Sequence, residues 1–458
     1  MKRLRKMTEI KLGKRSFWEI VKQEHLILIA LVFLFYYTWC VLLPEAVAPD
    51  EYMRYQVPEF IYNNGYLPHG ADPAIRDVNW GISCAFSPYL AQLIGLGFMK
   101  IAGLFTTDPF AMLMAVRMVS VLSATATVWV CIKISQQLFA NSVARALFVV
   151  LVAALPQFIY LATYVNNDSF AIFTTSVILY AWVIGLKNKW PMKSCVLLGI
   201  GMGICAMSYY NAYGWLLTSV ILFFVSALIM DKARWRDKKF RIKIYVVVGI
   251  FAAITAWWFI RSYIIYDGDF LGLNITEKYK EMYALDYLKP SNAGSVQQSG
   301  ASLWHMLFDM GWARTSYFSA IGVFGSLNVF LPLWIYVVYS AMFLVAFIGC
   351  IMRLVALIKE KSADKPKKCL AGICMIITIV IPIALSIYYS YTSDFQAQGR
   401  YVLPMLLSFM VFVTVGLKTF FGRILPKKAA DAALAVIAIL LILITIYCFA
   451  GVYIPIYR

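Results

Sequence analysis

The clearest chemical signal in the chain is Pro49-Asp50-Glu51, in the run APDEYMRYQVPEF. It follows an apolar stretch, residues 26 to 43, so two adjacent carboxylates sit where a membrane span meets water. Ionised groups at the edge of low dielectric are costly unless they are paired or used. One of the two can act as a general base, its pKa raised by partial desolvation, while the other holds a substrate hydroxyl or a cation. The structural alternative is that Asp50 caps a helix starting near Glu51, whose charge suits a first turn.

Arginines at span ends on the same side form the second signal. Arg117 lies near the start of the apolar run 110 to 132, Arg261 near the end of 244 to 265, and Arg400 opens a span in SDFQAQGRYVLP. The positive-inside bias does not place arginine there, so each needs an anionic partner. A lipid phosphate would take the fork of a guanidinium bidentately; snorkelling or a carboxylate partner is the plainer alternative. A third signal is YVNNDSF, where Asn166, Asn167 and Asp168 form a very short turn between two spans. Asn and Asp suit turns and helix caps, and the same turn can bring a polar side chain beside Asp50. Asn274-Ile275-Thr276 matches a glycosylation sequon, a pattern too common by chance to carry weight.

These residues must be positioned by membrane spans. Of 458 residues, 62% are hydrophobic and 14% charged, against roughly 45–50% and about 25% in a soluble domain. That excludes a soluble enzyme on one anchor, a disordered chain and a small disulfide scaffold. Runs long enough to cross a bilayer fall at 26 to 43, 110 to 132, 146 to 165, 169 to 186, 194 to 210, 213 to 230, 244 to 265, 329 to 352, 369 to 391, 400 to 420 and 432 to 454, eleven in all. The first is too long for a signal-peptide core and has no small-residue cleavage site after it, so it is expected to stay as a span. Eight of the nine cysteines lie in or beside apolar runs and only Cys84 in a long loop, which implies no external disulfide framework.

A twelfth stretch, 86 to 105, is interrupted by Pro88, Gln92, Lys100 and several glycines. Charge decides its place. If it does not cross, the segments on the N-terminal side hold 30 of the 41 basic residues and 8 of the 23 acidic ones. If it crosses, the blocks DKARWRDKKFRIK and RLVALIKEKSADKPKK face outward, against the positive-inside bias. The stretch therefore reads as interfacial or re-entrant on the outer face. The net charge of +18 belongs to this topology and calls for no nucleic-acid partner.

The expected organisation is a basic cytoplasmic segment 1–24 and one transmembrane domain, 25–458, with a cytoplasmic N-terminus and an external C-terminus. External segments at about 44–109 and 266–328 are rich in Trp, Tyr and Phe and are expected to roof an external cavity. No fixed-period repeat and no phosphate-binding glycine loop is present, which disfavours an ATP-driven machine. His25, His69 and His305 are the only histidines and lie far apart, so no histidine-built zinc site is expected.

The ordered set of features resembles the C-type membrane glycosyltransferases (GT-C), which include the protein O-mannosyltransferases and the aminoarabinose lipid A transferases. The resemblance rests on the basic N-terminus and first span before Pro49-Asp50-Glu51, a Ser87-Pro88 helix start, Arg117 in AVRMVS, the stretch from Pro156 to Asp168, and the run Gln398-Gly399-Arg400-Tyr401-Val402-Leu403-Pro404. It implies an all-α polytopic fold with about eleven spans plus interfacial helices. It also implies sugar transfer from a polyprenyl phosphate, outside the membrane, with inversion. Asp50 matches the family's acidic motif and would deprotonate the acceptor, with Glu51 in support. Arg117, Arg400 and Arg261 would bind the donor phosphate, and Arg54, Asn167, Asp168, Gln398 and Tyr401 the substrates. The family's soluble extensions are missing, which favours a glycan or lipid acceptor over a protein. Adjacent carboxylates suit Mg²⁺ or Mn²⁺, but with arginines to neutralise a departing phosphate the reading is metal-free. The alternatives are a transporter or lipid flippase, which would need charged or broken spans near the midplane, and a glycan polymerase or ligase of another fold.

Overall fold

The structure, a computed structural model, describes residues 25–458; the basic segment 1–24 lies outside the described residues. Among the described residues seventeen α-helices follow one another. They are α1 (Leu26–Leu42), α2 (Glu51–Asn64), α3 (Leu90–Ala102), α4 (Pro109–Leu138), α5 (Ser142–Ala153), α6 (Pro156–Leu161), α7 (Asp168–Lys187), α8 (Met192–Ala206) and α9 (Gly214–Phe224). Then come α10 (Lys238–Ile265), α11 (Leu273–Tyr283), α12 (Trp312–Gly322), α13 (Leu333–Lys359), α14 (Lys365–Thr392), α15 (Leu406–Ile424), α16 (Lys427–Tyr447) and α17 (Ile454–Tyr457). The strands among the described residues are a two-residue hairpin pair, β1 (Val323–Phe324) with β2 (Val329–Phe330).

The chain is an all-α, multi-pass membrane protein. Among the described residues eight helical stretches are long and apolar enough to cross a bilayer, and α1, α5 and α8 are shorter apolar helices on runs expected to span. The ambiguous stretch 86 to 105 contains only the 13-residue α3, about 20 Å at 1.5 Å per residue, which falls short of a hydrocarbon core of about 30 Å. Helices α4 and α7 form the centre, with 72% of their apolar windows buried, while α10 and α13 are 17% buried and face outward. Peripheral and central helices meet through small residues: on α13 and α15, a side chain added at Gly349 or Gly416 would overlap backbone of the other helix, the close approach that small residues permit between membrane helices.

One expected span is broken. The run 146 to 165 is helical only over α5 and α6, because Pro156 cannot donate to the preceding turn and starts a new helix instead. In an apolar setting the carbonyls freed at the break need partners. Tyr36 Oη donates to Ala153 O at 2.8 Å, and Tyr339 Oη and Thr445 Oγ1 donate to Ala154 O at 3.4 and 2.6 Å. After α6 the chain runs without helix to Asp168, wholly buried.

The two ends of the bundle differ in chemistry. At one end Lys187 Nζ donates to Gln137, Lys243 Nζ to Lys189 O, Lys367 Nζ to Asp231 and Asn141 Nδ2 to Asp431. The basic connections thus gather there. At the other end the two long segments interlock: Leu285 N–H donates to Asn79 O at 3.0 Å, and Arg76 lies 3.7 Å over the Tyr283 ring.

Candidate functional site

Glu51 and Arg117 meet first. Arg117 Nε and Nη2 each donate at 2.8 Å to the two Glu51 oxygens, a bidentate pair that is 0% and 2% exposed. The remaining donors of Arg117 reach the carbonyls of Leu43, Pro44 and Cys40 at 2.7, 3.1 and 3.4 Å. Glu51 Oε1 also accepts the Val165 N–H at 2.9 Å. The pair therefore ties the end of α1, the start of α2, α4 and the buried segment after α6 into one unit. Every N–H of Arg117 is thereby engaged within the protein, and Glu51 is closed off from solvent.

Asp50 behaves differently. It occupies the N-cap position of α2 in left-handed conformation (φ 60°), and its side chain makes no cap bond. A non-glycine residue there is strained. The carboxylate turns instead to Arg400, whose Nη2 donates to Oδ2 at 2.6 Å, with Arg54 Nη2 3.9 Å from the same oxygen. Its side chain is 39% exposed and that of Arg400 4%, so the pair is open on the aspartate side. Burial alone pushes the Asp50 carboxyl up, but Arg400 and then Arg54 outweigh it and hold the group below the usual aspartate range. The expected raised pKa is thus reversed, because two guanidiniums face a group that the sequence showed beside another carboxylate.

Arg400 is placed by its glycine. Gly399 N–H donates to Ser319 Oγ at 2.6 Å, and a side chain at 399 would overlap the Ala320 backbone. Tyr401 accepts from Arg400 Nη2 at 3.1 Å and lies under its guanidinium, 5.0 Å to the ring centre. Gln398 is nearby but bonds Gln396, 2.6 Å away.

The turn at 166–168 is buried, not exposed. Asn166 Nδ2 donates to the Leu161 and Tyr164 carbonyls at 2.6 and 2.7 Å, and its Oδ1 accepts the Ser169 N–H at 2.9 Å. Asn166 thus caps α7, while Asn167 Oδ1 accepts from Gln92 Nε2 at 2.7 Å. Asp168, 3% exposed, stands within Coulomb range of Arg400, Arg54 and Asp50. Among the described residues, Asp168 Oδ1, Arg54 Nε, and Arg400 Nε and Nη1 are buried without a hydrogen-bond partner. So are the hydroxyl of Tyr164, beside Arg400, and Oε1 of Gln92. Buried polar atoms are ordinarily satisfied, so this group of unpartnered atoms is a candidate site for a polar ligand. Tyr164 carries no distinguishing signal in the sequence, whereas Gln92 is legible there as a polar interruption of an apolar stretch.

Arg261 stands apart from this cluster. Its Nη2 donates to Pro68 O at 2.8 Å and Leu67 O at 3.4 Å, and its charge faces His69 and Tyr89. It fastens the first long segment to α10. The described residues contain no group of three or more His, Cys, Asp or Glu side chains that could hold a metal ion, and all nine cysteines are free.

Residues 72–410 match the family described as "Predicted membrane protein (DUF2142)". No curated protein matches significantly. Among solved structures, the oligosaccharyltransferase of Archaeoglobus fulgidus in complex with Zn and sulfate is similar over 92% of this chain and 51% of its own, at 14% identity and a TM-score of 0.53. The same enzyme in its apo form is similar over 97% and 56%, at 13% and 0.51. ArnT from Cupriavidus metallidurans bound to undecaprenyl phosphate is similar over 87% and 78%, at 14% and 0.40. The chain spans about half the length of the oligosaccharyltransferase it matches. At these identities the likeness is one of fold, and that fold is GT-C.

Proposed function

Since the chain belongs to the predicted membrane protein family DUF2142 and has a GT-C fold, we propose that it is an inverting glycosyltransferase moving a hexosyl- or pentosyl-type sugar from a polyprenyl phosphate to a glycan or lipid acceptor on the external face of the membrane. The observation that supports this reading best is Asp50 itself: a carboxylate in strained backbone, not spent on its helix cap, held open beside arginine nitrogens that have no protein partner.

The chemistry follows from those positions. The donor phosphate binds Nε and Nη1 of Arg400 and Nε of Arg54, whose fixed charges stabilise the negative charge that grows as it leaves. The acceptor hydroxyl stands at Asp50 on the opposite face of the sugar. Its oxygen bonds to the anomeric carbon while the bond from that carbon to the phosphate oxygen breaks, the electron pair staying on the phosphate. The hydroxyl proton passes to Asp50. Asp168 orients Arg400 and Arg54 through its charge rather than taking the proton, since it is closed off from solvent. Glu51 and Arg117 hold the scaffold. The reaction is written without a metal, the arginines supplying the positive charge.

The test is to supply purified protein in liposomes with a panel of polyprenyl-phosphate sugars and envelope glycan acceptors, and to read formation of free polyprenyl phosphate together with glycosylated acceptor. Acceptor-dependent release supports the reading. Movement of lipid-linked sugar across the bilayer without cleavage of the sugar–phosphate bond would replace it with a flippase.

A further inference from the structure

Far from the site, at the basic end, α1, α4, α5 and α16 enclose a cavity of about 630 Å³ that opens sideways. Its size lies within the ~300–1,000 Å³ typical of small-molecule sites. The floor is small because α5 presents Ala146, Val149, Val150 and Ala153 there. The deep end is dry, since the Tyr36 and Thr445 hydroxyls are turned onto the carbonyls freed by the helix break. The rim residues Leu28, Leu31, Ile442 and Ile446 are exposed and continue the outward apolar surface of the bundle. At the mouth stand His25 and Gln136, 3.3 Å apart, with Ser142 and Arg145, whose Nε and Nη2 donate to the Phe139 and Ala140 carbonyls at 2.6 and 3.3 Å. Among the described residues no Asp or Glu lines the cavity. From Ser142 to Ala153 the floor is 12 residues long, about 18 Å of helix.

We propose that this groove holds an acyl chain of an anionic phospholipid drawn from the leaflet at the basic end. The chain lies along α5, and the phosphate sits at the mouth beside Arg145. Two features commit the occupant: the walls are continuous with the outward apolar surface, and among the described residues that line the cavity the permanently charged side chain, Arg145, is cationic. The site is distinct from the sugar-transfer site, and its test reads lipid, not transfer.

Full-length protein purified in mild detergent is analysed by native mass spectrometry and lipid extraction. About one phospholipid per chain is expected, enriched in anionic headgroups over the source membrane. Ala146→Trp, at an exposed position inside the groove, should cut retention about fivefold or more. Gln136→Glu, nearly isosteric, should keep the chain but lower the anionic share about fivefold, the factor expected for one charge at an anionic headgroup. No retained lipid, retention unchanged in both variants, or polyprenyl phosphate as the retained species would overturn the proposal. So would crosslinking of segment 1–24 into the groove.

Discussion

Asp50 and Arg400 are separated by 350 positions and meet at 2.6 Å; the proposed transfer centres on that contact. Because Arg400 and Arg54 hold the Asp50 carboxyl below the usual aspartate range, the proposed base is ionised throughout the neutral range. The acid limb of the transfer rate should therefore fall below about pH 4; a limb centred at pH 5 or higher would contradict the pairing. The sign for stability is the same. A depressed carboxylate contributes above its unfolded pKa and loses that contribution as pH falls through the folded value. Arg400→Ala should weaken donor binding by about 2–5 kcal/mol, the cost of removing a desolvated charge partner, as read by isothermal titration with a polyprenyl-phosphate sugar. Arg117→Ala should leave the donor affinity of folded protein unchanged. The sequence made Asp50 and Arg400 visible through residue type and place, but it could not separate Arg117 and Arg261 from Arg400. All three sit at span ends, and only the fold decides that one guanidinium is fully spent on Glu51 and three carbonyls, one is tied to loop carbonyls through Nη2 with its Nη1 unpartnered, and one stands beside Asp50 with Nε and Nη1 unpartnered.

At the scale of elements, the region depends on a segment that is not regular structure. The chain from Ala162 to Asn167 has its backbone groups met by Asn166, Ser120 and Glu51, and Glu51 is held in turn by Arg117. Arg117→Ala strands a buried carboxylate and should cost about 3–5 kcal/mol, seen as a marked fall in melting temperature in detergent. A stable Arg117→Ala protein with lost donor binding would instead return Arg117 to the phosphate. The spans were legible because about 20 apolar residues in a row leave few choices. The break at Pro156 was not: the flanking residues are apolar, so hydropathy reads through it, and the hydroxyls that make the break tolerable come from α1, α13 and α16. The short α3 was legible, because Pro88, Gln92 and Lys100 interrupt the stretch and charge bias opposed a crossing.

For the whole molecule, the separation into a basic end and a site end makes the charge pattern of the sequence a three-dimensional one. We infer from that pattern that the basic end is cytoplasmic. Cysteines introduced at Lys365 and Arg236 should resist impermeant reagents in intact cells, whereas one at Lys278, on α11, should label; labelling of the first two from outside would invert the molecule. The central claim, that Asp50 is the base of a sugar transfer, is tested most directly by Asp50→Asn. Asparagine keeps the size and is as good a helix cap as aspartate, but it cannot accept the proton. With wild type and variant matched for thermal stability, transfer from a polyprenyl-phosphate sugar should fall about 100-fold or more while the protein stays folded. Near-equal activity in the two proteins would contradict the account.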